Sequence, residues 1–572
     1  MIQSTPVTGG RGYRQRPGRP NDGRRDRLLR HLVPLLLIAA TAFVAGIVFG
    51  ALHRPAEQDV ADDYMAAYAQ RDYGAMYALI TDDAKRRFTP DQFRAAHEDA
   101  LATATATKIA VEKAESPADD AVATRVKIAT RVFGHVEDEL VLPMEEARVA
   151  WAPHLTFPGV DEGERLERTL ELPPRATLLD ANGDELDPAT AASIGGELGP
   201  IPPERAEELR AKGVPDGAEV GISGLQRALD DELRGTPGGR LKAGARVLAR
   251  GTPKAAKPVR TTIVPRIQAA AVTALAGRLG GVVVMKVGGK DDGDVAAAAG
   301  IGLSGLQPPG STFKIITLSG ALEARITRPK EQFAVATSAT LEGVELQNAN
   351  GESCGGTLID SFAHSCNSVF APLGAELGAR RLVRTAERFG FNETPAIDGA
   401  ATSTIPPASE IGDDLAVGAS AIGQGRVQAN TLQMALAAAT IADEGERPTP
   451  TLLEKAKPRR TRAISRRTAR IVDRAMRAVV AYGTGTSAAI GGVTIAGKTG
   501  TAELRQTQGE EVEGAAPVEG DTTDTTAWFA AYAPANRPRI AVAVMLVEAG
   551  AGGAVAAPAA RTVLAEALRR PG

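Results

Sequence analysis

Ser311-Thr312-Phe313-Lys314, Ser365-Cys366-Asn367, Gly423-Gln424-Gly425 and Lys498-Thr499-Gly500-Thr501 are the runs of this 572-residue chain whose residue types and order suit shared chemistry. A hydroxyl with an amine three residues on, a second serine beside an asparagine, and a second lysine in a Gly/Thr run form an acyl-transfer set built on an activated serine. Pro308-Pro309-Gly310 cannot be helix interior, whereas Ser311 to Ala324 can, so Ser311 should open a helix. Free N–H groups and the helix dipole would favour an oxyanion forming there. Lys314 lies on the same face, placed to take the Ser311 proton. It must be neutral to do so, and burial with a second cation, the role assigned to Lys498, would lower its pKa.

Ser365-Cys366-Asn367 falls at the junction of two helical stretches, where the hydroxyl can relay a proton and the amide can both donate and accept; a helix cap is the plainer reading. His364 is adjacent, lacks a carboxylate at triad spacing and is taken as incidental. Lys498-Thr499-Gly500-Thr501 follows Val493-Thr494-Ile495, which places it on a strand whose N–H groups could align a substrate as an added strand, with Gly500 admitting a close backbone approach. Gly492 through Thr499 also fits the phosphate-loop pattern, but that pattern needs a loop here and a helix starting at the lysine. No His-Glu-x-x-His run and no Gly-x-Ser-x-Gly elbow occurs, so metal hydrolysis and the α/β-hydrolase solution lack their residues.

These runs need a scaffold, and the length predicts two to four domains. The fold class read from the pattern is α+β: a single N-terminal transmembrane helix, a small α+β module, an elongated pedestal, and a helix-flanked antiparallel sheet. Residues 1–31 form a basic tail. Leu32 to Leu52 is uncharged and mostly apolar, about the ~20 residues a spanning helix needs. Eight arginines precede it and acidic residues soon follow, which keeps the tail cytoplasmic and exports the rest. The span exceeds the ~7–15 apolar residues of a cleaved signal peptide, the competing reading. Residues 55–156 read as short helices and then alternating strands; 157–259 are rich in proline, glycine and charge; 260–572 mix apolar strands with Ala/Leu-rich helices. A net charge of −3 and 4% aromatic residues argue against a nucleic-acid partner. The two cysteines, Cys354 and Cys366, lie on the exported side, where a disulfide can persist; two unrelated buried thiols are the alternative.

With Pro308 to Lys314, Ser365-Cys366-Asn367 and Lys498-Thr499-Gly500-Thr501-Ala502-Glu503 in hand, the last 310 or so residues resemble the class B penicillin-binding proteins, serine-type peptidoglycan D,D-transpeptidases of the serine β-lactamase-like fold. The likeness extends through Phe389-Gly390-Phe391-Asn392, Gly423-Gln424-Gly425, Tyr482-Gly483-Thr484-Gly485 and Trp528-Phe529. Residues 55–156 resemble, by pattern and position, the nuclear-transport-factor-2-like domain of the methicillin-resistance subgroup, and 157–259 the family's pedestal or dimerisation domain. The resemblance implies that Ser311 attacks the penultimate D-alanine carbonyl of a stem peptide with Lys314 as base. It implies further that Ser365 and Lys498 handle the proton and Asn367 orients the peptide. Thr499, Gly500 and Thr501 would bind the terminal carboxylate, and the backbone N–H groups of Ser311 and Thr501 would form the oxyanion hole. It implies β-lactam acylation, lipid-linked precursors, a membrane glycosyltransferase partner, and neither cofactor nor metal. A D,D-carboxypeptidase or β-lactamase-like hydrolase is the same-fold alternative, and a non-catalytic scaffold or sensor the alternative of another class. Ala176, where glycine is usual, Gln226, where glutamate is usual, and Met285-Lys286, where Leu-Asp is common, depart from the family pattern in and near the pedestal. Leu504 to Thr526 reads as a long acidic loop beside the site.

Overall fold

The structure is a computed structural model that describes residues 38–44, 56–113, 115–118, 120–454, 459–503 and 525–569. The expected span 32–52 lies mostly outside the described residues, and so does 504–524 of the expected acidic loop. Among the described residues no helix is long and apolar enough to cross a membrane. The chain divides into two units, 1–169 with 240–250, and 170–239 with 251–572.

In the first unit a sheet is preceded by α1 (Ala56–Gln70), α2 (Tyr73–Ala78), α3 (Asp82–Arg87) and α4 (Pro90–Thr103). Thr89 and Gln92 close a capping box around Pro90, which is why α4 starts there. The antiparallel strands β1 (Ala106–Val111), β3 (Ala121–Thr130), β4 (His135–Glu145) and β5 (Arg148–Val149) follow in that order, with β2 (Glu115–Ala118) beside β3. Buried Val122, Thr124, Val126 and Ile128 alternate with more exposed neighbours, so β3 turns one face to the core. Phe93, His97 and Trp151 pack ring against ring at its centre.

The second unit carries a five-stranded antiparallel sheet ordered β7-β6-β10-β9-β8. Its parts are β6 (Gly280–Lys286), β7 (Val295–Gly300), β8 (Ala496–Glu503), β9 (Thr525–Ala533) and β10 (Ile540–Leu546). Every residue of β10 is buried, because both faces of the sheet are covered. Val282, Val284, Phe529, Val542 and Val544 face α5 (Pro265–Leu275) and α11 (Ala556–Leu568), in one apolar cluster. Their alternates Val283, Met285, Trp528, Ala543 and Met545 join the larger cluster containing α6 (Lys314–Glu323), α7 (Leu358–Ala363), α8 (Asn367–Leu377), α9 (Thr431–Ala442) and α10 (Arg466–Ala481). α9 is buried along its whole length, and its residues are mostly Ala, Leu, Met and Ile, with Thr431, Gln433 and Thr440 the polar exceptions. Strand β8 starts at Ala496, so the β-branched run Val493-Thr494-Ile495 leads into the strand and is not part of it.

Two polar features of this unit bear on the sequence. Arg175 donates to the Gln226 side chain at 2.9 Å and to Asp230 at 2.9 Å, so Asp230 supplies the carboxylate that Gln226 lacks. Asp443 and Asp292 share one guanidinium: Arg460 Nε donates to Asp292 at 2.6 Å, leaving Asp443 Oδ2 at 3.1 Å without a hydrogen bond. Burial, then the Asp292 charge, push the Asp443 carboxyl up to about 6. A raised carboxyl pKa means the native state holds its proton after the unfolded chain has lost it, so this group's stability contribution falls as pH rises from about 4 to about 6. Asp443→Asn should therefore match the parent below pH 4 and be more stable by about 1–2 kcal/mol above pH 6, read by urea unfolding across that range.

Candidate active site

Gly310–Phe313 forms a 3-10 turn that runs directly into α6. Side chains three apart eclipse in such a turn, which sets Ser311 over Lys314. Two glycines make the turn possible. Gly310 has φ +51°, and a Cβ there would lie 2.6 Å from the Thr501 carbonyl oxygen. Gly423, of Gly423-Gln424-Gly425, has φ +77°, accepts the Gly310 N–H at 2.9 Å, and would drive a Cβ into the Gly310 carbonyl. The sequence therefore joins the third run to the first through backbone contact alone.

Ser365 sits between α7 and α8 with φ +62°, a left-handed conformation rare for a residue with a side chain. Its carbonyl, turned by that conformation, accepts from Lys314 Nζ at 2.6 Å. Lys314 Nζ also donates to Asn367 Oδ1 at 2.7 Å and lies 3.3 Å from Ser365 Oγ. Lys498, on strand β8, donates from Nζ to Ser365 Oγ at 2.8 Å. Both amines are fully buried, each about 5.6 Å from a ring centre, Phe370 for Lys314 and Phe362 for Lys498. Among the described residues every hydrogen-bond acceptor of the two amines is uncharged. Burial, and then the Lys498 charge, hold Lys314 well below the usual lysine range; burial brings Lys498 to about 7.

The structure thus brings Ser311, Lys314, Ser365, Asn367 and Lys498 into one constellation, with one difference from expectation. Among the described residues the Ser311 hydroxyl makes no hydrogen bond, and Lys314 turns instead to Ser365 and Asn367. The physical reason is that a buried amine goes to the strongest acceptors within reach, here a backbone carbonyl and an amide oxygen. A neutral amine has two N–H groups for the short contacts, leaving its lone pair for a hydroxyl proton.

Strand β8 is a sheet edge, so its outer side offers unpaired backbone groups. A Cβ on Gly500 would stand 2.8 Å from the Pro309 carbonyl, so the backbone that Gly500 admits is that of the Ser311 turn. Lys498 standing in a strand removes the phosphate-loop reading, which needs a helix at that lysine. Thr501 Oγ1 accepts from the Gly552 N–H at 3.2 Å, and Thr499 Oγ1 meets Thr484 Oγ1 at 2.6 Å. Thr484 has no role in the reading of the residues alone, although Tyr482-Gly483-Thr484-Gly485 was its available signal. The Gln347 carbonyl, which accepts from Asn367 Nδ2 at 2.7 Å, had none. His364 packs beside Tyr482 and, among the described residues, is not a hydrogen-bond partner of either lysine.

Cys354 and Cys366 are joined as a disulfide, with Cα atoms 5.8 Å apart. Cys366 is the residue between Ser365 and Asn367, so the bridge ties that junction to strand Cys354–Thr357. Replacing both cysteines by serine should lower unfolding free energy by about 3 kcal/mol, the chain-entropy value for a loop of this size, measured by urea unfolding in oxidising buffer.

Comparison with known proteins matches residues 284–565 to the penicillin binding protein transpeptidase domain and 154–254 to the penicillin-binding protein dimerisation domain. The peptidoglycan D,D-transpeptidase PbpA of Mycolicibacterium smegmatis is 38% identical over 291 residues, covering 47% of this chain and 56% of the relative. The chain therefore spans about half the length of the curated relatives it matches. The crystal structure of PBPA from Mycobacterium tuberculosis superposes with a TM-score of 0.54 at 26% identity, over 69% of this chain and 99% of that one. The same protein as its penicillin G acyl-enzyme complex gives 0.55 at 25% identity, over 69% and 100%.

Proposed function

We propose, on the premise that this chain belongs to the class B penicillin-binding proteins, that it is a peptidoglycan D,D-transpeptidase and is acylated by β-lactams at Ser311. The observation that carries the reading is the unbroken path Lys498 Nζ, Ser365 Oγ, Lys314 Nζ, at 2.8 and 3.3 Å, with Ser311 three residues before Lys314 in the turn that leads into its helix. When a peptide carbonyl reaches Ser311, the hydroxyl gives its proton to neutral Lys314 and its oxygen to the penultimate D-alanine carbonyl. Charge building on that carbonyl oxygen is met by the backbone N–H groups of Ser311 and Thr501. As the C–N bond breaks, the proton passes from Lys314 to the leaving D-alanine amine through Ser365, with Lys498 steadying the hydroxyl. A stem-peptide amine then attacks the ester, releasing Ser311 and forming the cross-link. Thr499 and Thr501 line the edge strand for the terminal carboxylate, and Thr484 holds the Thr499 hydroxyl in one orientation.

We further infer from the sequence that residues 32–52 anchor the chain with residues 1–31 cytoplasmic and the catalytic domain outside. Glycan chains then come from a membrane glycosyltransferase partner, and residues 55–156 form a nuclear-transport-factor-2-like domain. A protease-protection assay on membrane vesicles tests the topology; cleavage of the tail from the exported side would reverse it.

The test of activity is incubation with a synthetic stem pentapeptide and an amine acceptor, followed by mass spectrometry. Cross-linked product is expected. Hydrolysed tetrapeptide alone would mark a carboxypeptidase, and neither product a scaffold.

A further inference from the structure

We propose that the cleft at the N-terminal end of α9 is a second binding site, for a small molecule carrying one carboxylate on an apolar body. The cleft is partly open to solvent, with about 450 Å³ of free space in and above it. Arg447 supplies its charge. The side chain is only 12% exposed, and its one hydrogen bond among the described residues runs from Nη2 to Glu393 Oε2 at 2.6 Å. A guanidinium has five N–H donors, so a fork matched to a carboxylate is left mostly unused.

Glu393 is itself 57% exposed, a rim group that a ligand carboxylate can replace without stranding a buried charge. The arrangement depends on Gly390, whose φ of +107° and missing side chain let the guanidinium lie against the backbone; a Cβ there would stand 2.4 Å from Arg447 Nη1. Gln433 donates its amide to the Phe389 carbonyl at 2.7 Å, which fixes the polar end of the cleft. Leu432, Leu436 and Pro395 give the cleft an apolar side, shared with the polar Thr394, Ser403 and Asn430, beside one fixed cation. A packed ring pair sets the cleft apart from the nucleophile: Phe391, next to Gly390, meets Phe313 edge-on at 5.4 Å.

The test uses the full chain with 4-phenylbutyrate as probe and 4-phenylbutan-1-ol as its neutral match, followed by ligand-observed NMR and calorimetry. The acid should bind, and the alcohol should bind about tenfold more weakly or less, as loss of a charge-assisted fork requires. Arg447→Met should abolish the difference between the two. Glu393→Gln, a rim change that leaves the fold alone, should tighten the acid several-fold by removing its competitor. Benzylpenicillin-treated protein should bind the acid as the untreated protein does. Equal binding of acid and alcohol, no binding of either, no gain in Glu393→Gln, or loss of the acid on penicillin treatment would each overturn the proposal. The Arg447 and Glu393 arms do not involve Ser311, so they decide the matter even if the transpeptidase reading fails.

Discussion

Ser311→Ala will take up no fluorescent penicillin, and its labelling rate will drop by roughly 10⁴-fold or more, the scale seen when a nucleophile is removed from a covalent enzyme. The hydroxyl has no hydrogen-bond partner among the described residues, so its loss leaves no buried group unpaired and the fold should be unaffected. Equal melting temperatures for parent and variant will separate chemistry from stability. Label that persists on the variant would remove Ser311 from the nucleophile's role and with it the acyl-enzyme.

The second large effect concerns the base. Lys314→Met keeps length and apolar volume in the buried slot but removes the proton acceptor, and acylation should slow by about 10²- to 10⁴-fold, the usual contribution of a positioned base. The pH profile carries the sharper information. A depressed lysine pKa means the amine loses its proton well before an exposed one, so the parent's acylation rate should rise with pH through an acid limb set by Lys314 that lies well below the usual lysine range. Lys498, brought to about 7, loses its charge near that pH, and the rate should level or fall above that point as the relay loses its cation. In Lys314→Met the acid limb disappears. Stopped-flow acylation by a chromogenic β-lactam between pH 5 and 9 measures both limbs. An acid limb unchanged in the variant would assign the base elsewhere.

Stability should follow the same pair with the sign fixed by linkage. A lysine whose pKa is lowered on folding is protonated in the unfolded chain over a pH range where the native state is not. For Lys498 that range runs from about 7 to the ordinary lysine value, so its burial opposes folding most at and below pH 7 and progressively less above it.

Much of the site was legible because its cues are local. Pro308-Pro309-Gly310 punctuates the chain, and the three-residue interval from Ser311 to Lys314 means one face in any helical turn. The junction around Ser365 was readable from the two apolar stretches that flank it, although its positive φ was not. The sheet was harder. Strand β6 is a continuous apolar run with no alternation to reveal which face meets α9 and which meets α5, since both are covered. Strand β7, Val-Ala-Ala-Ala-Ala-Gly, went unread because alanine has no strand preference and its place comes from pairing with β6.

By itself the chain's text determined which candidate groups are present and that Ser311 lies at a helical turn with Lys314, since residue identity and short spacing act before any distant contact forms. Only the tertiary structure decided that Lys314 leans to the Ser365 carbonyl and Asn367, and that Gly500 makes room for Pro309. It alone also decided that Thr484 braces Thr499. Those choices belong to segments brought together by burial, where each polar group takes the nearest partner the packing allows, and no local pattern encodes which partner that is.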